Sequence, residues 1–176
     1  MPLTPLKSLL PALAVLLMPL LLPAMAAAQQ ETEDGASIDA IVDAAYDVIS
    51  GPAGEARDWD RFRALFAEGA KLYPRVTGMP QGLRPSTPED YVARSGPLLE
   101  ERGFFEGEVA RSVHRYGDVA QVFSTYEGRW KEDEAPFIRG VNAFQLVFDG
   151  ERWWIVSLAW QQEAPELPVP AAYEAE

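Results

Sequence analysis

Phe137 to Gln162 reads FIRGVNAFQLVFDGERWWIVSLAWQQ, and this stretch decides the fold. It is one long antiparallel hairpin. Val, Ile, Phe and Trp dominate both arms, and such residues fit a pleated, half-buried surface. Asp149-Gly150 between the arms predicts a tight type I′ turn, in which both central residues need a positive φ. Upstream, Phe105 to Arg115 and Val119 to Trp130 read as two further strands around a turn at Tyr116-Gly117-Asp118. Lys131 to Pro136 is a charged connection.

Three helical segments precede the strands. Ser37 is placed to cap a helix in which Ile38, Ile41, Val42, Ala45, Val48 and Ile49 form one apolar face. Asp39, Asp43 and Asp47 line its other side and read as a solvated acidic face. Asp58 caps a short second helix with Trp59, Phe62, Leu65 and Phe66 inward, and Gly69 reads as its stop. A short strand follows at Ala70–Tyr73. Pro74 to Ser86 is a long connection of the kind used as lids or binding loops. Thr87-Pro88-Glu89-Asp90 starts a third helix, which Pro97 should kink or split. Helices followed by consecutive strands imply an α+β domain over residues 38–163, with its helices packed in the concave face of a bent, mostly antiparallel sheet.

The ends of the chain read differently. Lys7, the apolar run Leu9–Leu22 and the small residues Ala24, Ala26 and Ala28 predict an export signal over residues 1–28. The expected destination is the periplasm or the medium, with no membrane anchor left after cleavage. Residues 29–37 and the Pro-, Ala- and Glu-rich residues 164–176 read as flexible tails. A formal charge of −12 with no basic cluster argues against nucleic acid as a partner. Cysteine is absent, and with a single histidine, His114, the usual zinc sites cannot be built. No metal or other cofactor is expected.

The order of elements, the Leu65-Phe66 helix end leading into a strand, the Thr87 helix and the terminal RWWIVSLAWQQE strand together resemble the nuclear transport factor 2-like superfamily. That group includes SnoaL-like cyclases, scytalone dehydratase and ketosteroid isomerase. The resemblance implies a cone-like sheet wrapped around the helices, with a pocket inside. It also implies where isomerase groups would fall. The base position falls near Pro74, which cannot titrate, and this argues against isomerase chemistry. The oxyanion tyrosine would correspond to Tyr46, and the partner acid to Asn142. Dimers through the outer sheet face are common in the group, so a homodimer is expected.

Asn142 shares an alternation face with Ile138, Phe144, Leu146 and Phe148. A polar amide there is either satisfied by neighbouring groups such as Arg139 or offered to a pocket. His114, at a strand end beside a turn, reads as an edge residue more than as a catalytic one. Trp59, Phe66, Tyr73, Tyr126, Asn142, Phe144 and Trp160 are the expected pocket lining. Trp153 and Trp154 must face opposite sides of their strand. Three functions remain open at this point. The first is an exported module binding a small apolar or amphipathic molecule. The others are a cyclase-, dehydratase- or isomerase-type enzyme using Asn142, Tyr46 or His114, and an interaction domain acting through the outer sheet face.

Overall fold

The computed structural model describes residues 18–80 and 82–174. Helix α1 (Met18–Asp34) leads to α2 (Ile38–Asp47), α3 (Trp59–Ala64), β1 (Phe66–Arg75) and α4 (Pro88–Arg102). Four long strands follow: β2 (Phe105–Tyr116), β3 (Val119–Arg129), β4 (Ile138–Phe148) and β5 (Trp153–Gln162). They form one curved, unclosed sheet in the order β1-β5-β4-β3-β2. Only β1 and β5 run parallel; the other pairs are antiparallel.

The caps form as the sequence predicts. Ser37 accepts a hydrogen bond from the Ala40 amide, Asp58 accepts from Arg61, and Thr87 with Asp90 closes a reciprocal capping box. Such caps satisfy amides that the first helical turn leaves unpaired, each worth about 1 kcal/mol. Ile41, Val42, Leu65, Val122, Leu146 and Ile155 are sealed between α2 and the sheet. At about 1.5–3 kcal/mol per fully buried aliphatic side chain, this layer is the main adhesive of the fold.

Several local expectations are corrected. The hairpin turn is not type I′: Asp149 keeps a negative φ, and only Gly150 is positive, at 104°. The Asp149 carboxylate accepts from the Glu151 and Arg152 amides, both at 2.8 Å, and so stabilises a four-residue loop instead. Gly69 does not end a helix. It sits at φ 79° in a bulge of β1, which therefore begins earlier than expected, at Phe66. Pro97 lies inside α4 without splitting it. The acidic stripe on α2 is solvated as expected and is bridged as well: Arg111 reaches Asp39 and Asp43 at 2.6 and 2.5 Å, and Arg61 reaches Asp47 at 2.5 Å.

Both tails also differ from expectation. Residues 29–34 are helical, and Asp34 is buried against Arg61 at 2.8 Å. Burial alone would raise the Asp34 carboxyl, but the Arg61 hydrogen bonds outweigh it and hold the group below its usual range. The C-terminal segment lies on the convex face of the sheet. Thr125 donates to the Tyr173 carbonyl at 2.5 Å, the Tyr173 and Phe123 rings meet at 5.3 Å, and Arg139 pairs with Glu174. The Tyr173 ring against Phe123 is the apolar contact of this docking. The expected export signal falls mostly outside the described residues. Among the described residues, no helix is long and apolar enough to cross a membrane.

Candidate functional site

Alternation along β3 and β4 changes character from one end of the sheet to the other. On the concave face β3 runs Ala120, Val122, Ser124, Tyr126, Gly128, and the facing row of β4 runs Leu146, Phe144, Asn142, Gly140, Ile138. The apolar pair Val122–Phe144 thus gives way to the polar pair Ser124–Asn142, and beyond it a glycine stands in each pair. The helices do not fill the space this leaves. A cavity of about 470 Å³ opens there, walled by aromatic and aliphatic side chains that include Phe62, Phe66, Phe104, Phe144, Leu158 and Trp160. Val76 and Met79, from the long connection after β1, border it, as do Arg94 and Ser95 of α4.

A chain of polar side chains crosses the cavity floor. Asn142 donates to the Tyr46 hydroxyl at 3.0 Å, and its amide nitrogen lies 3.5 Å from Glu106 Oε1. Tyr46 Oη and Ser124 Oγ are 2.5 Å apart. Ser124 in turn donates to Glu108, which is held by Arg111 at 2.7 Å. A serine has one hydroxyl hydrogen. Because Ser124 gives it to the Glu108 carboxylate, Tyr46 must donate to Ser124 and accept from Asn142. The direction of the whole chain is therefore set by a carboxylate–arginine pair at the edge of the sheet.

Glu106 is the site's titratable group. It is half-buried on β2 and borders the cavity. Loss of water around it pushes its carboxyl up to about 7, against the opposing effect of the Asn142 hydrogen bond. Burial also raises the Tyr46, Tyr91 and Tyr126 hydroxyls, and the Glu106 charge adds to the rise in each. All three phenols therefore stay neutral at physiological pH. Among the described residues the Tyr126 hydroxyl is buried without a partner. It lies against Gly140, where a Cβ would come within 2.7 Å of it.

Of the residues expected from sequence, Tyr46, Phe66, Tyr126, Asn142, Phe144 and Trp160 border the cavity. Trp59 does not. Its ring packs on Phe62 and Gly96, and its indole donates to Glu100 at 3.2 Å. Tyr73 alternates to the other face of β1 from Leu72 and Pro74 and is also outside. His114 is exposed near the far end of β2, away from the cavity, with Ser112 at 3.5 Å. Pro74 borders the cavity, as the resemblance implies, and brings no titratable group. Trp153 is the inward member of its pair and Trp154 the outward one. Arg139 turns away from Asn142 toward Glu174.

Glu106 was missed by sequence reasoning. In sequence Glu106 and Glu108 alternate with Phe105, Val109 and Val113 and so read as the outward row; the bulge between Glu108 and Ala110 shifts the alternation and turns both acids inward instead. Two acids immediately after the Phe104-Phe105 pair were the available signal.

Comparison with known proteins supports the fold. No family model matches the chain, and no curated protein matches it. Solved structures do. An NTF-2 like protein of unknown function from Silicibacter pomeroyi is 19% identical, with a TM-score of 0.52 over 73% of this chain and 94% of that one. A protein of unknown function from Mycobacterium tuberculosis is 13% identical, with a TM-score of 0.57 over 77% and 80%. A domain of unknown function with a cystatin-like fold from Nostoc punctiforme is 12% identical, with a TM-score of 0.50 over 81% and 76%. The chain has a nuclear transport factor 2-like fold. At these identities the likeness concerns architecture, and function has to be read from the site.

Proposed function

We propose that this protein binds a small, largely apolar molecule inside the cone, with the ligand's polar group seated against Glu106 and Asn142. The observation that carries the reading is the pairing of a roughly 470 Å³ cavity, walled mainly by aromatic and aliphatic groups, with one polar cluster at its floor. Few polar groups in an apolar concavity are the usual composition of a small-molecule site. On the strength of the Leu9–Leu22 run we further propose that binding takes place outside the cytoplasm. Self-association through the convex sheet face is proposed as well, in competition with the C-terminal segment lying there. Native mass spectrometry of the protein taken directly from its own cells is the test. A retained small molecule is expected, and it should be lost in Leu158→Trp, which fills the cavity. An adduct-free spectrum under every gentle preparation counts against the reading.

One observation favours a second reading, an enzyme that moves a proton on the bound molecule. A carboxyl at about 7 is poised both to take and to give a proton at neutral pH. Under this reading Glu106 is the acid–base group, while Tyr46, Ser124 and Glu108 hold Asn142 in place. Turnover should then be abolished in Glu106→Gln with binding retained, and turnover surviving that change would remove Glu106 from the chemistry.

A further inference from the structure

The direction of the polar chain fixes what its cavity end has left to offer. The single hydrogen of Tyr46 goes to Ser124, because Ser124 is committed to Glu108. The Asn142 amide group is likewise committed: it donates to Tyr46 at 3.0 Å and faces Glu106 at 3.5 Å. Turning the amide over would set its oxygen against the Tyr46 oxygen, two acceptors with no hydrogen between them. Asn142 Oδ1 itself accepts no hydrogen bond among the described residues. With Glu106 ionised the floor is therefore acceptor-rich, the Asn142 carbonyl oxygen and the Glu106 carboxylate both seeking donors.

We propose that the cavity selects a compact apolar molecule whose polar group donates hydrogen bonds, an alcohol or an amine, over the ketone of the same skeleton. This rests on the binding reading above and specifies its ligand class. It reverses what Tyr46 and Asn142 suggest from their positions in sequence. There they resemble donors awaiting a carbonyl oxygen, but Glu108 and Arg111 draw their hydrogens away from the cavity. The Tyr126 hydroxyl is sealed against Gly140 and is not offered to the open cavity, and the Tyr91 and Ser95 hydroxyls on the α4 wall rotate to either role, so none of the three sets the preference. Arg94 is exposed at the rim, where water screens its charge.

Three probes on one skeleton test this: a decalin alcohol, the matching amine and the matching ketone, each titrated calorimetrically into the full chain at about pH 8, where the Glu106 carboxyl is ionised. A hydrogen bond to a charged acceptor corresponds to about a tenfold difference in affinity. The alcohol and the amine should thus bind about tenfold tighter than the ketone. Glu106→Gln, whose carboxamide supplies its own N–H groups, should close most of that gap. A ketone that binds as tightly as the alcohol, or tighter, overturns the proposal while leaving the binding reading intact. A gap unchanged in Glu106→Gln also overturns it. Failure of all three probes to bind would remove the binding reading and this inference together.

Discussion

Toward the Asp149–Arg152 loop the cone is full; toward Gly128 and Gly140 it is open. Both ends use the same sheet and the same period-2 alternation, so periodicity alone does not make a cavity. At the full end Ile41 and Val42 of α2 share one core with Val122, Leu146 and Ile155, all sealed from solvent. At the open end Ser124, Asn142 and Gly140 occupy the equivalent rows, and the helical side chains that reach them, Tyr46 above all, line the space without filling it. The difference separates two tasks on one scaffold. The full end supplies stability. The open end gives up some of it, keeping a carboxyl and a buried phenol in costly surroundings.

Substitutions can sharpen or break this contrast. The largest effect is expected for Leu146→Ala, which leaves a void in the full end and should cost about 2–5 kcal/mol in chemical denaturation. Leu158→Ala, beside a space that already exists, should cost markedly less. Equal losses at the two positions would mean that the ends are packed alike. Next in size is Gly140→Ala. An added Cβ would lie 2.3 Å from the Gln161 carbonyl oxygen and 2.7 Å from the Tyr126 hydroxyl, both on neighbouring strands. The expected loss is about 1–3 kcal/mol, and an unchanged unfolding midpoint would show that the strands give way freely there.

The third prediction concerns pH. The Glu106 carboxyl titrates near 7 in the folded chain against an ordinary 4.5. The folded state therefore holds an extra proton between those values, and stability should fall as pH rises through that window. Water entering the cavity screens part of the effect, so a loss of about 1–2 kcal/mol is expected. The Glu106→Gln variant should be flatter over the same range, and matching pH profiles would place Glu106 in ordinary solvent. The smallest effect is expected from ending the chain after Glu163. Stability should change by less than about 1 kcal/mol, because the anchors lost are few and partly exposed. The uncovered Phe123, Val141 and Ala143 should raise the dimer fraction in sedimentation velocity. A strictly unchanged monomer would show that this face has no affinity for itself.

The full end was the legible part of the sequence. Ile38, Ile41, Val42 and Ala45 at helical spacing and the alternating Phe144, Leu146 and Phe148 state burial directly, and the α+β architecture follows from them. The capping residues Ser37, Asp58 and Thr87 were equally plain, because each acts within its own turn. The open end was not legible, for a physical reason. Its defining partner lies on β2, where a bulge after Glu108 shifts the alternation, so the acids that follow Phe104-Phe105 are visible but their inward direction is not. Tyr46 and Asn142 were visible as individuals, and the resemblance paired them. Their hydrogen-bond direction depends on Ser124, Glu108 and Arg111, contacts that no spacing rule supplies. The C-terminal segment misled for a related reason: its composition is that of a solvated tail, yet a few side chains such as Tyr173 find a complementary apolar face.

Isotope-edited infrared titration of the Glu106 carboxyl, assigned by its disappearance in Glu106→Gln, tests the open, water-poor cavity most directly. A midpoint near 7 in the ligand-free protein is the expected result. A midpoint near 4, in the ordinary carboxylate range, would mean that bulk water reaches Glu106 and that the proposed binding site is not there.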